Sequence, residues 1–352
     1  GDRPGQNLYG TSIIAIDVKT GEKAWHYQMV HHDVWNYDNP NAPKVVDLVV
    51  NGKQIPAVVE TTKQGWAYVF NRKTGEPVWP IEERPVPQSD VPGERTAPTQ
   101  PFVTKPPAFE LQGVTEDDLI DFTPELKEQG LKIARQYRMG PIFTPPSLAD
   151  APDGTNGSFV SPGANGGANI PGGSSIDPET GMLYVATERG HSVIALVPGA
   201  SKGSNAGYVS LGPGGVRGPQ GLHLFKPPYG SIVAIDLNIG DITWKIPNGD
   251  TPADMKKHPA LQGIELPVTG KRSHATILTT KPLLFYGEGR RGDPLLHAID
   301  KRTGNEIARI DLPANTNTAP MTYLHDGRQY IVAAVAQAGV EGELVALALP
   351  EK

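Results

Sequence analysis

The residues best suited to chemistry lie in one short string, His32-Asp33-Val34-Trp35-Asn36-Tyr37-Asp38, with Lys63 following 27 residues after Asn36 in TTKQGWAYVFNR. The Asp38 carboxylate can ligate a cation or accept a proton, whereas the Asn36 amide cannot accept one at neutral pH. Two residues apart on a strand, they would share a face. By residue type alone, Lys63 on a strand-end loop reads as surface charge, and Trp35 as either a ligand wall or a packing ring. Adjacent His31 and His32 would face opposite ways on a strand and so could not chelate together; one is expected packed and one exposed. Trp66 reads as packing. Glu188, His191, His274, Glu288 and Arg290 are further polar groups near strand ends, none of which makes a site alone. Asn169 stands in the Gly-rich run GGANIPGGSSIDP, which is no phosphate cradle because no helix follows it. The absence of cysteine excludes disulfides, thiolate metal sites and cysteine catalysis within these residues.

The elements that must hold these residues are β-strands. Of 352 residues, 40 are Gly and 35 Pro, which argues against a helical bundle, while 38% hydrophobic content is enough for a core. A net charge of −6 and only short, isolated basic pairs give no reason to expect a nucleic-acid partner. No run approaches the 18 or so apolar residues of a membrane span.

Five segments align: AIDVKTGEKAW (15–25), VFNRKTGEPVW (69–79), SIDPETGMLYV (175–185), AIDLNIGDITW (234–244) and AIDKRTGNEIA (298–308). Each has Asp or Asn third, Gly seventh, and Trp or an apolar residue eleventh. Three of the five tryptophans, Trp25, Trp79 and Trp244, take that last place. The pattern reads as a tight hairpin in which the Asp caps the turn, Gly21 and its counterparts adopt positive φ, and the ring packs between adjacent sheets.

Spacings of 54, 106, 59 and 64 residues between the Asp/Asn positions are those of β-propeller blades, the 106-residue gap reading as one blade plus an insertion. That insertion, 80–140, is expected to be proline-rich and extended at first. It then becomes helical over 115–137, with Leu119, Phe122, Leu126 and Ile133 on one face. Gly/Asn/Pro loops at 150–175 and 199–221 are expected to cross the surface. Hairpin turns are expected at 51–53 and 325–327.

These repeats resemble the tryptophan-docking repeats of quinoprotein dehydrogenases, whose cofactor is pyrroloquinoline quinone (PQQ). The string from Tyr27 to Pro80 resembles the membrane-type glucose dehydrogenase branch throughout, as do RPVPQ, TAPTQPF, GPIFTPPS, PPYGSIVAIDL and APMTYLHDGRQYIV. The resemblance implies an all-β fold with about five blades of an eight-bladed ring. Residues 1–352 would then be one partial propeller domain beginning mid-ring.

It also implies hydride transfer from an alcohol or glucose-like sugar to PQQ, with calcium polarising the quinone and a quinone or cytochrome as acceptor. The family's base is the Asp after the Trp of H-x-x-W-D, and here that position is Asn36. Asp38 then becomes a candidate metal ligand or replacement base. Lys63 and Asn169 take the places of residues that contact the quinone, and Trp35 could form part of the cofactor wall. The remaining metal ligands of the family would lie upstream. The chain alone is therefore expected to be inactive, with the missing blades supplied by a companion segment or a second copy, unless the five blades close on themselves. A periplasmic location is implied, with possible membrane association through an N-terminal part. The alternative is a PQQ-like propeller that has lost catalysis and serves as a scaffold.

Overall fold

A computed structural model describes residues 3–170 and 172–350; Pro171, within the Gly-rich run around Asn169, lies outside them. Among the described residues the strands form seven sheets, five of which follow one another as blades. The first blade is a pair, Ser12–Ile16 and Lys23–Gln28, and the second is Lys44–Val50, Lys53–Thr61 and Ala67–Asn71. The third runs Ser174–Asp177, Met182–Glu188, Gly230–Asp236 and Asp241–Pro247, and the fourth Thr276–Thr279, Leu283–Gly287, Leu295–Asp300 and Glu306–Asp311. The fifth is Met321–His325, Arg328–Gln337 and Val340–Leu347. All pairings within these blades are antiparallel.

Both faces of an inner blade are buried, so its strands read as apolar runs. Side chains alternate between faces. Leu183, Val185, Val233 and Ile235 therefore join Val46, Leu48 and Val59 of the second blade. Tyr184, Ala186, Ile232 and Ala234 join Ile277, Leu284 and Ile299 of the fourth.

The repeat turns form as expected. Asp17, Asn71, Asp177, Asp236 and Asp300 each accept the backbone N–H two residues on, and Gly21, Gly75, Gly181, Gly240 and Gly304 all have positive φ. The glycine has a second role: a Cβ on Gly75 would strike the Trp25 ring, one on Gly240 the Trp79 ring, and one on Gly304 would crowd that of Trp244. Each tryptophan thus lies on the turn of the following blade, and Trp25 and Trp244 also donate to Arg72 O at 3.0 Å and Lys301 O at 3.2 Å. Gly75→Ala meets both the positive φ and the ring, and is expected to destabilise by about 2–4 kcal/mol in urea unfolding. The Thr74→Ala control, on the exposed side of the same turn, should shift stability by no more than about 0.5 kcal/mol.

Three expectations are corrected. The Asp177 turn joins the first and second strands of the blade whose third and fourth are joined at Asp236. The 106-residue gap therefore contains no blade of its own, and the fifth blade comes from 321–347, which lacks the motif. The 80–140 segment is not merely extended, since Ile81–Pro85 pairs with Thr99–Val103 ahead of the helix. The helix itself, α1, is shorter than expected at Pro124–Ala134, capped by Thr123 Oγ1 accepting from Leu126 N. Leu119 and Phe122 precede it, while Leu126, Gly130 and Ala134 are its buried residues. Finally, 150–175 does not cross the surface: Ser158–Val160 is buried and pairs with Ser192–Pro198 in a separate sheet completed by Tyr208–Gly214. The expected hairpins at 51–53 and 325–327 are present.

Candidate active site

The 31–38 segment is a loop after the first blade rather than a strand, so Asn36 and Asp38 share a side for another reason. Asp33 accepts the N–H of Trp35 on one carboxylate oxygen and that of Tyr37 on the other, each at 2.8 Å. Trp35 and Tyr37 are buried: Trp35 Nε1 donates to Thr144 O at 2.8 Å, and both rings contact Phe143. With 35 and 37 anchored inward, the exposed Asn36 and Asp38 are left outside. Asn36 has φ +67°, a left-handed conformation that Asn and Asp tolerate better than most residues. Burial pushes the Asp33 carboxyl up, against its two backbone hydrogen bonds. Trp35 therefore sits in the packing position of its two readings.

Lys63 follows strand Lys53–Thr61 in a tight turn closed by Thr62 N donating to Trp66 O. Its side chain is 4% exposed, and Nζ lies 2.6 Å from Asp38 Oδ1 and 3.3 Å from Asn36 O. The structure thus brings Asn36, Asp38 and Lys63 together. Asn169 enters on the third blade's side: Ala168 N donates to Thr62 O, and Gly167 lies so close to the Lys63 carbonyl that a Cβ would collide with it. The buried Asn169 amide donates to Ala275 O at 3.3 Å, leaving its Oδ1 with no partner among the described residues.

A polar chain that sequence reasoning missed ties these loops together: Gly173 N donates to Asn41 Oδ1, Asn41 Nδ2 to Thr61 Oγ1, and Thr61 Oγ1 meets Ser174 Oγ. Asp33 was legible in principle, since an acidic residue two and four positions before buried rings is a turn-forming pattern. A cleft of about 710 Å³ opens beside Asn36 and Val34.

The other candidates fall elsewhere. His31 contacts Gln28 and Glu83, and His32 contacts Gly5 O and Glu94; they diverge as expected, but both are largely packed. Trp66 packs against Phe102 and Phe143. Glu188 is buried against Arg272 at 3.0 Å, its carboxyl pushed up by burial. His274 Nε2 accepts from Arg290, and burial, aided by Arg290 and Arg291, lowers its pKa to about 4. His191 is held well below its usual value by burial and packs, tilted, against Phe225. Glu288 belongs to a separate network with Lys271 and His297.

Glu60, three residues before Lys63, is 1% exposed with neither carboxylate oxygen hydrogen-bonded among the described residues, and burial pushes its pKa up to about 8, partly opposed by Lys44. A raised carboxyl keeps its proton in the fold after the unfolded chain has lost it. Its contribution to stability is therefore complete below the unfolded value near 4.5 and is lost as pH rises to about 8. Glu60→Gln is expected to remove up to ~1.4 kcal/mol per pH unit of that loss, read as a flatter stability–pH curve between those limits.

The fold, with each tryptophan laid on the next blade's turn, defines a β-propeller. The chain belongs to the PQQ-dependent dehydrogenases: residues 1–331 match the glucose/ethanol/alcohol dehydrogenase β-propeller domain. It is 32% identical over 376 residues to the quinoprotein glucose dehydrogenase of Escherichia coli (strain K12), covering 99% of this chain and 45% of that protein. It is 30% identical over 382 residues to the glycerol dehydrogenase large subunit of Gluconobacter thailandicus, covering 98% of this chain and 50% of that protein. Among solved structures, the quinohemoprotein alcohol dehydrogenase of Comamonas testosteroni shares the fold, with a TM-score of 0.57 at 19% identity over 99% of this chain and 44% of that one. The chain thus spans about half the length of these relatives.

Two tests of fit give different answers. A buried, unmatched Asn169 oxygen, on a loop whose backbone lies against that of Thr62 and the buried Lys63, suits a polar ring ligand such as PQQ. No group of three His, Asp or Glu side chains able to hold a metal occurs among the described residues, and Asp38 offers a single ligand already engaged with Lys63. No helix among the described residues is long and apolar enough to cross a membrane.

Proposed function

We propose that this chain supplies the Lys63–Asn169 side of a PQQ site in a dehydrogenase acting on an alcohol or sugar. The observation that carries this reading is the buried Lys63 ammonium, 2.6 Å from Asp38 and backed by the Asn169 loop. PQQ, when bound, supplies the hydride acceptor. Lys63 would donate a hydrogen bond to the quinone oxygens and stabilise negative charge developing there. The unmatched Asn169 oxygen would receive a donor on the ring.

The proton of the substrate hydroxyl would find no efficient acceptor in this loop: the Asn36 amide cannot take it, both Asp33 oxygens are turned inward to Trp35 and Tyr37, and Asp38, held by Lys63 at 2.6 Å, would serve only weakly. Asn36 would orient that hydroxyl. We derive no step through calcium from these residues; Asp38 would be its one ligand here. The remaining blades would come from a companion segment or a second copy, consistent with the exposed Ile16 at one end and Leu344 at the other. A quinone or cytochrome would take the electrons, in the periplasm.

A second reading, a scaffold without catalysis, is favoured by the amide at Asn36. Titrating the full-length protein with PQQ, followed by absorbance, and then adding alcohol and a dye acceptor separates the two. Saturable PQQ binding with dye reduction is the expected result. Saturable binding without turnover would favour the scaffold, and no binding would overturn the cofactor reading. The 352-residue chain alone is expected to give no dye turnover.

A further inference from the structure

We infer that Arg272, Arg290 and Arg291, gathered around His274, form a carboxylate-binding patch on the face that carries Lys63 and Asn169. This rests on the dehydrogenase reading above and adds a second chemical group for that site to hold.

Backbone contacts lead from the site directly into the patch. Gly167 lies against the Lys63 carbonyl and pairs across the sheet with Glu188, and the Asn169 amide donates to Ala275 O, next to His274. Glu188 holds Arg272 at 3.0 Å, and its second oxygen lies 3.9 Å from His274 Nε2. Arg290 donates to the same His274 nitrogen at 3.1 Å. The two loops are fixed against each other: a Cβ on Gly289 would collide with the Ser273 and His274 carbonyls, and Ser273 Oγ donates to Glu288 O.

The charges of the patch do not balance. Glu188 pairs with Arg272, whereas Arg290 and Arg291 have no carboxylate partner among the described residues. The other acids nearby are held elsewhere: Glu110 by Arg189 at 3.1 Å, and Glu288 and Asp293 by Lys271 at 2.6 and 2.7 Å. Burial first, and then the arginines around it, lower the His274 pKa to about 4. At neutral pH its ring is therefore uncharged. Accepting from Arg290 at Nε2, it carries its proton on Nδ1, which is enclosed with no acceptor among the described residues.

Hydrogen-bond donors are unspent as well. Arg272 uses Nε on Glu188 and keeps both terminal NH2 groups, Arg290 uses one nitrogen, and Arg291 uses none among the described residues. The Arg272 side chain is 25% exposed, and Arg290 and Arg291 are exposed, so a ligand on this face can reach all three. The unmatched acceptors beside them, Glu188 Oε2 and Asn169 Oδ1, are buried. A guanidinium offers a planar fork of N–H groups that a carboxylate accepts with both oxygens. On the dehydrogenase reading such a carboxylate has two sources: PQQ, itself a polycarboxylate, and a substrate that is a hydroxy acid.

Titrating the full-length protein with PQQ and its trimethyl ester, by absorbance, and with mandelate and methyl mandelate, by calorimetry, compares each carboxylate with its uncharged counterpart. Arg290→Gln combined with Arg291→Gln should weaken at least one of the two carboxylates roughly tenfold and leave its ester unchanged. A loss for PQQ assigns the patch to the cofactor, and a loss for mandelate assigns it to a hydroxy-acid substrate. Should the double variant fold poorly, Arg291→Gln alone should weaken the same ligand in the same sense. Equal changes in acid and ester, or no change in either pair, overturn the inference, while PQQ binding by the unaltered protein leaves the dehydrogenase reading standing. Failure of the unaltered protein to bind PQQ overturns that reading and this inference together.

Discussion

Asn36→Asp in the full-length, PQQ-loaded protein is expected to raise turnover of its alcohol by about 10²–10⁴, the range attributed to a well-placed general base. The backbone is ready for the change. Position 36 has φ +67°, which Asp adopts about as readily as Asn, and its neighbours are fixed by Asp33 and by two buried rings. The side chains are nearly equal in size, and the exposed position lets a carboxylate keep its hydration. The measurement is kcat for dye reduction, with thermal unfolding as the control. If Asp38 already acts as the base, the gain at position 36 will be small, and Asp38→Asn will remove the activity instead. Unchanged, negligible turnover in both variants would place the lesion outside this loop.

The second large effect is expected at Lys63. Lys63→Met keeps the length and apolar stem of the side chain but removes the charge, and should lower turnover by about 10²–10³ while weakening PQQ binding. Stability should hardly move. The partner Asp38 is 59% exposed and returns to water when the ammonium is gone, which places the loss at about 0–1 kcal/mol. Comparing PQQ titration with thermal unfolding separates a binding role from a structural one: lost binding in a normally folded variant supports the assignment, and undiminished binding and turnover refute it.

Much of the scaffold was legible because its signals are local. An Asp that takes the N–H two residues on and a Gly at positive φ are settled within one turn, so Asp17 to Gly21 could be read from eleven residues. The same locality misled at Asp177, where the same turn chemistry serves a different pair of strands in one blade. Burial of 158–160 escaped because it depends on pairing with Ser192–Pro198, contacts a Gly/Asn-rich string does not announce. At the site, the resemblance pointed to Asn36, Asp38, Lys63 and Asn169, and the first three do converge. The means of convergence was hidden. A period-of-two argument assumed a strand, whereas Asp33 folds the loop by binding two backbone amides. Glu60 reads as an ordinary acid in a β-strand, and only its enclosure leaves both oxygens unmatched.

The laying of Trp79 on Gly240 has a consequence for how this architecture can grow. Between those two residues the chain makes a hairpin, a helix and a second small sheet, and the ring still meets its glycine. Contact between consecutive blades is carried by a plug on one module and a socket on the next, neither of which depends on the length of the tether. New sequence can therefore accumulate in the tether, or between the middle strands of a blade as it does from 189 to 229, without disturbing the modules. The same chain grafted between the Asp and Gly of a repeat turn would separate the socket from its own strand and uncouple every blade beyond it.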